Sequence, residues 1–211
     1  MRDGKFSRGA CPSRAVFCHA LPVQFSLFGA AAVDPVLDDV DGVLLAGGHW
    51  ARLGGTARLS IVVADRWRAD ALAQAFEERG VAEAASAVVD AEGGLATRTA
   101  FSAALAPHAA RWTRGANEGP PPGLVLGPGG LRLWAIAGGR ADEVGYIFAT
   151  AESDDRVHLV GGAQLARLGL AAVSLAQRAG PGWRITSTKR LRRLGELLGE
   201  APPGAERDWP V

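Results

Sequence analysis

The chain has 211 residues, 48% hydrophobic and 21% charged, a balance that suits one large domain or two small ones around a shared core and excludes wholesale disorder. Its formal net charge of +1 excludes nucleic-acid binding through bulk positive charge, so such a surface would require charge segregated onto one face. Only Lys5 and Lys189 are lysines; nearly all positive charge is arginine, whose planar fork of donors suits phosphate.

Residues 1–20 read as a disordered arm. Arg2, Lys5, Arg8 and Arg14 precede an apolar stretch, but Cys18, His19, Pro22 and Gln24 interrupt what a secretory signal requires. No stretch approaches the roughly 20 apolar residues of a membrane span. Cys11 and Cys18 make neither a disulfide framework nor a structural zinc site, which points to a reducing cytoplasm. Residues 21–32 hold an apolar patch, Leu21 to Phe28, followed by an alanine run.

A regular pattern then occurs twice. In the first copy (residues 33–116), Asp34 to Gly48 reads as a helix with Asp34 as N-cap and Pro35 at its first position. Trp50–Arg52 and Arg58–Ala64 alternate as hairpin strands around Gly54-Gly55. Arg68–Arg79 is predicted helical, with Ala71, Leu72, Ala75 and Phe76 as its apolar stripe and Gly80 as its stop. Strands Ala85–Asp90 and Leu95–Phe101 follow, then a helix Ser102–Trp112 capped by Ser102. Residues 117–127 contain Pro120-Pro121-Pro122 and read as a stiff extended linker. The second copy (residues 128–200) predicts helix Pro128–Gly139, two strands within Arg140–Thr150 and helix Asp154–Leu168. Strands Ala171–Arg178 and Trp183–Thr186 and helix Thr188–Leu198 complete it. Residues 201–211 read as a polar, Pro-rich tail from which Trp209 could tuck back. The order αββαββα, twice, predicts an α+β fold with two antiparallel sheets.

The ends of the two opening helices carry a resemblance. The first reads Val40-Asp41-Gly42-Val43-Leu44-Leu45-Ala46-Gly47-Gly48; the second runs from Leu126 through Pro128, Leu131 and Trp134 to Gly138-Gly139. With the repeated topology over residues 33–200, these segments resemble the LAGLIDADG homing endonucleases. The resemblance implies a pseudo-two-fold molecule, a monomer with an internal pseudo-dimer, whose sheets form a saddle over double-stranded DNA. Gly42 and Ala46 lie i, i+4 on one helix face, as do Leu133 and Ala137 on the other, and small residues there permit close helix approach.

The departure concerns chemistry. In active members of that family the residue before the final glycine is an acid that holds divalent metal; here those positions are Gly47 and Gly138. A hard cation needs oxygen ligands, and glycine side chains supply none. No catalytic residue, metal ligand or cofactor is therefore expected. Asp142 and Glu143 follow the second motif closely and keep open the alternative of a Mg-dependent endonuclease with displaced acids.

Strand alternation buries Leu59, Ile61 and Val63 and turns Arg58, Ser60 and Val62 outward. The same rule turns Arg98, Ser174, Arg178, Arg184 and Thr186 outward, while Arg52 and Arg140 follow the motif helices. These side chains are the candidate DNA contacts, with ordinary solvated strand positions as the alternative. Lys189-Arg190-x-Arg192-Arg193 is either an additional phosphate contact or the wet side of a packed helix.

Gln24-Phe25-Ser26-Leu27-Phe28 resembles the peptide by which bacterial polymerases and repair proteins dock on the β sliding clamp, with Phe25 where Leu is usual. A strand or staple packed on the domain is the alternative for this segment. The resemblance also leaves open an interaction adaptor that uses this peptide and does not bind DNA. His108 and His158 lie on predicted helices without partner ligands, and Gly161-Gly162 suggests close packing inside a helix.

Overall fold

The computed structural model describes residues 29–30, 33–82, 88–115, 117–151, 155–175 and 180–210. Gln24–Phe28, Cys11, Cys18 and Arg178 lie outside them. The first repeat contains α1 (Asp41–Leu45), β1 (His49–Leu53), β2 (Thr56–Val63), α2 (Arg66–Glu78), β3 (Val88–Ala91), β4 (Gly94–Arg98) and α3 (Ala106–Trp112). A short pair, β5 (Thr113–Arg114) and β6 (Asn117–Glu118), leads into the second repeat. That repeat contains α4 (Pro128–Gly138), β7 (Gly139–Ala141), β8 (Tyr146–Ala149), α5 (Asp155–Arg167), β9 (Val173–Leu175), β10 (Gly182–Ile185) and α6 (Thr188–Leu198). Two four-stranded antiparallel sheets result, ordered β1-β2-β4-β3 and β7-β8-β10-β9. The predicted order is present in both copies.

Several element boundaries shift by a few residues from expectation, and the start of the first helix shows why. The first helix opens as a 3-10 turn at Leu37–Val40, with Val36 rather than Asp34 at its N-cap position. The Asp39 carboxylate accepts the Val36 N–H at 3.1 Å and an Arg79 guanidinium N–H at 2.6 Å, which fixes the start there. The polar, Pro-rich tail packs on the body: Ala205 and Trp209 are buried in the core, and the Trp209 indole, tucked back, donates to Gly199 O at 2.9 Å. Residues 117–127, read as a stiff extended linker, instead turn at Pro121–Leu124, where Leu124 N–H donates to Pro121 O at 3.3 Å and Gly123 has φ +73°, and they are anchored to the body. Glu118 accepts the Trp50 N–H at 3.2 Å, Leu126 donates to Gln164 Oε1 at 3.0 Å, and Leu124 and Leu126 are buried.

The two repeats meet along α1 and α4. A Cβ on Gly42 would overlap the Gly130 carbonyl and lie 3.0 Å from Trp134 N, so the backbones touch where α1 has no side chain. Around this contact Val43, Leu45, Leu131, Leu133 and Trp134 are buried, joined from the sheets by Leu59, Tyr146 and Phe148. Trp134 packs on Phe148 at 4.8 Å between ring centroids and donates to Ala149 O at 2.7 Å, tying α4 to β8. Arg68 of α2 is buried and donates to Ile136 O at 2.9 Å and Gly139 O at 2.7 Å. It thus supplies donors and positive charge to the carbonyl end of α4. Among the described residues no helix is long and apolar enough to cross a membrane.

Candidate nucleic-acid interface

Each sheet packs one face on helices. On β2 Ala57, Leu59, Ile61 and Val63 are buried on the helix side, while on the other face Val62 is 44% exposed and Ser60 is buried. Directly opposed residues in antiparallel strands share a face, so the register extends this assignment across each sheet. His49 pairs with Ser60 and Ser60 with Arg98, giving a row of three across β1, β2 and β4 on the face away from the helices. In the second sheet Arg140, Ile147, Arg184 and Val173 form the corresponding row across β7, β8, β10 and β9. Aligning Ala46-Gly47-Gly48-His49 with Ala137-Gly138-Gly139-Arg140 superimposes the two rows and makes Arg98 and Arg184 equivalent.

The register brings together Arg58, Ser60 and Arg98 on one outer face, and Arg140 and Arg184 on the other; Thr186 lies just past β10, exposed and outside the register. It separates two predicted residues from them. Arg52 lies opposite Ala57 on the helix-covered side, where its guanidinium donates to Thr113 Oγ1 at 2.8 Å. Ser174 lies opposite Trp183, also on the covered side, and its hydroxyl meets His158 Nε2 at 2.8 Å. Val173 takes the outer position, because a one-residue offset in so short a strand exchanges its faces. His49, absent from the candidate contacts, sits beside Ser60; alternation through β1 would have found it.

These arginines are held differently. Arg58 lies over the Phe101 ring at 4.5 Å, and its counterpart in the second repeat is Gly145. Arg184 donates to Asp142 Oδ2 at 2.5 Å. The Nε of both Arg58 and Arg184 is buried with no acceptor among the described residues. An unmade buried hydrogen bond costs about 1–3 kcal/mol. Ile147 and Ser60, central in their rows, are only 3% and 7% exposed.

The motif helices end between the sheets. A Cβ on Gly138 would meet the methyls of Ala46 and Ala149 at 3.4 Å, and one on Gly47 would meet Ala151 at 3.8 Å. Gly47 has φ +108°, a backbone conformation that disfavours any side chain, whereas Gly138 is helical. Asp142 is committed elsewhere: Oδ1 accepts the N–H groups of Val144 and Gly145 at 3.0 and 2.8 Å, and Oδ2 accepts Arg184. Desolvation opposes its ionisation, but these donors and the Arg184 charge outweigh it and hold its pKa below the usual carboxylate value. Glu143 is exposed in the same turn. Among the described residues no three His, Cys, Asp or Glu side chains converge as metal ligands. The side chains at the helix ends do not fit the divalent metal implied by the fold resemblance.

The basic segment of α6 is exposed at Lys189, Arg190, Arg192 and Arg193, while Leu194 is buried. Arg193 Nε donates to Leu168 O at 2.7 Å, capping the end of α5. His158 stacks on Trp183 at 4.7 Å, and His108 Nδ1 lies 3.3 Å from Asp38 Oδ1 without forming a hydrogen bond.

No protein-family model matches the chain, and no curated protein matches it. Solved structures do. The homing endonuclease I-WcaI bound to its DNA recognition sequence superimposes with a TM-score of 0.61 at 12% identity, covering 81% of this chain and 84% of that one. I-DmoI in complex with DNA and Mn gives a TM-score of 0.45 at 13% identity, covering 78% of this chain and 98% of that one. With the two matching sheets and the Gly42–Gly130 helix contact, the I-WcaI superposition establishes that the chain has the LAGLIDADG homing-endonuclease fold.

Proposed function

We propose that this protein is a monomeric, cytoplasmic duplex-DNA-binding protein that does not cleave its target. The observation that carries the reading is the equivalent placement of Arg98 and Arg184 on the outer faces of two sheets related by the repeat. Arg58, Arg140, Ser60 and Thr186 complete the proposed surface. Arginine forks supply phosphate contacts and can read guanine edges in the major groove. I-WcaI, whose fold this chain shares, is bound to its DNA recognition sequence, and that supports the reading for this chain. The non-cleaving part rests on Gly47 and Gly138 and on the prior commitments of Asp142.

The test is fluorescence anisotropy of labelled duplex DNA in Mg²⁺ across a salt series, followed by a denaturing gel. Salt-sensitive binding with intact strands is expected. Cleaved strands that become intact on Asp142→Asn or Glu143→Gln would establish the endonuclease alternative. Absence of binding at low salt would remove DNA and favour the adaptor. Recruitment through Gln24–Phe28 is a separate proposal, tested by capture on immobilised β sliding clamp; capture unaffected by Leu27→Ala with Phe28→Ala would refute it.

A further inference from the structure

We propose that the groove bounded by α2, the start of α4 and α6 is the docking site for the N-terminal segment of this chain, with residues 21–28 in the groove and the basic arm along its rim. The inference does not rest on the DNA reading, and it competes with clamp recruitment for the same side chains, Leu27 and Phe28. The groove lies among the helices, away from the outer faces of the sheets. Its volume of about 1120 Å³ exceeds the roughly 300–1,000 Å³ of small-molecule sites and suits a peptide. Ala71 of α2 and Gly195 of α6 are partly exposed in it, above a floor of the buried Ala75, Leu133 and Ile136, so its lining is small or apolar.

Two observations identify the occupant. The first is where the chain enters. Gly29 and Ala30 line the groove, and Gly29 is buried, so the residues preceding them begin at its wall. The eight residues before Gly29 include Leu21, Val23, Phe25, Leu27 and Phe28, enough apolar surface to fill such a lining. The second is charge. Asp34, Glu78, Glu196 and Glu200 line the groove together with Asp39. Its two cations are already engaged: Arg79 donates to Asp39 at 2.6 Å, and Arg132 donates to the carbonyls of Leu198 and Glu200. The arm carries the complementary charge, with Arg2, Lys5, Arg8 and Arg14 against Asp3 alone. Tethering gives such a segment an effective concentration in the millimolar range for short connections, so modest affinity suffices.

Hydrogen exchange on the full chain tests this. Amides of residues 23–28 should exchange at least tenfold more slowly than in a free peptide spanning residues 18–30. Ala71→Trp, which fills the groove, should abolish the slowing. Glu196→Lys with Glu200→Lys, both on exposed positions, should weaken it and reduce its salt dependence; this pair decides the matter if Ala71→Trp does not fold. Exchange at the free-peptide rate in the unaltered protein would overturn the proposal, as would protection indifferent to the groove variants. Protection lost on dilution together with a dimer-to-monomer change in light scattering would assign the groove to a second copy, and would equally overturn it.

Discussion

In the first repeat the outer row runs His49, Ser60, Arg98; in the second it runs Arg140, Ile147, Arg184, Val173. One row centres on a hydroxyl, the other on an aliphatic side chain. The second also carries a carboxylate, Asp142, that binds its arginine. The opening helices differ in the same way. α1 has five residues and an acidic entry through Asp38, Asp39 and Asp41, whereas α4 has eleven and buries Leu131, Leu133, Trp134, Ala135 and Ile136. The repeats thus share a hydrogen-bonding plan while their side chains have diverged. The backbone repeat aligns Arg98 with Arg184 but not Arg58 or Arg140 with an arginine, and local partners decide how available each one is.

The largest effect should come from the contact the repeats share. Gly42→Ala places a methyl against the Gly130 carbonyl and is expected to destabilise by about 3 kcal/mol or more in urea unfolding, at the upper end of overpacking costs. A cost under about 1 kcal/mol would show that the helices separate easily. Arg68→Ala should follow at about 3 kcal/mol, since it leaves Ile136 O and Gly139 O without their buried donor and Asp65 without its ion pair.

The two glycine ends of the motif helices should respond unequally. Gly47→Ala forces a side chain onto φ +108° and should cost about 1–3 kcal/mol. Gly138→Ala meets only contacts of 3.4 Å or longer in a helix and should stay within about 1 kcal/mol of the parent. Equal costs would mean the repeats end alike.

For DNA the comparison predicts Arg98→Ala to be more damaging than Arg184→Ala, because Asp142 already offsets the latter's charge. Arg98→Ala should weaken binding about tenfold, as expected for a charged hydrogen bond, and lower the salt slope by about 0.9 if its partner is a phosphate. Asp142→Asn should tighten binding modestly. Equal effects from the two arginines would erase the distinction.

The smallest effect concerns pH. Desolvation pushes the buried Asp41 pKa up, although Trp112 Nε1–H at 2.6 Å and the Arg111 charge partly compensate. The folded chain therefore holds this proton more tightly than the unfolded one, and Asp41's contribution declines as pH rises from about 3.8 through its elevated native pKa. Asp142 has the opposite sign. Its lowered pKa gives stability above the unfolded carboxylate range that is lost as pH falls through the native value. Unfolding curves of Asp41→Asn and Asp142→Asn against pH should diverge from the parent in opposite directions.

The sequence by itself determined the duplicated element order. Hydrophobic period and turn glycines are local signals, and each survives in both copies: α6 occupies Thr188–Leu198 as predicted, and Ser102 caps its turn by accepting Ala104 N–H at 3.2 Å. It also placed glycines at the ends of both opening helices, because Gly47 and Gly138 are identities rather than conformations. Tertiary structure decided what depends on partners distant in sequence. Arg52 and Ser174 face the covered side because strand pairing sets the register, and one residue of offset exchanges the faces. Residues 201–210 became part of the body because Trp209 found Gly199 O and the Arg132 guanidinium lies 5.2 Å from its ring. Asp142 became a turn and ion-pair residue because β10 brings Arg184 beside it from 42 positions away, a proximity that hydrophobic period does not encode.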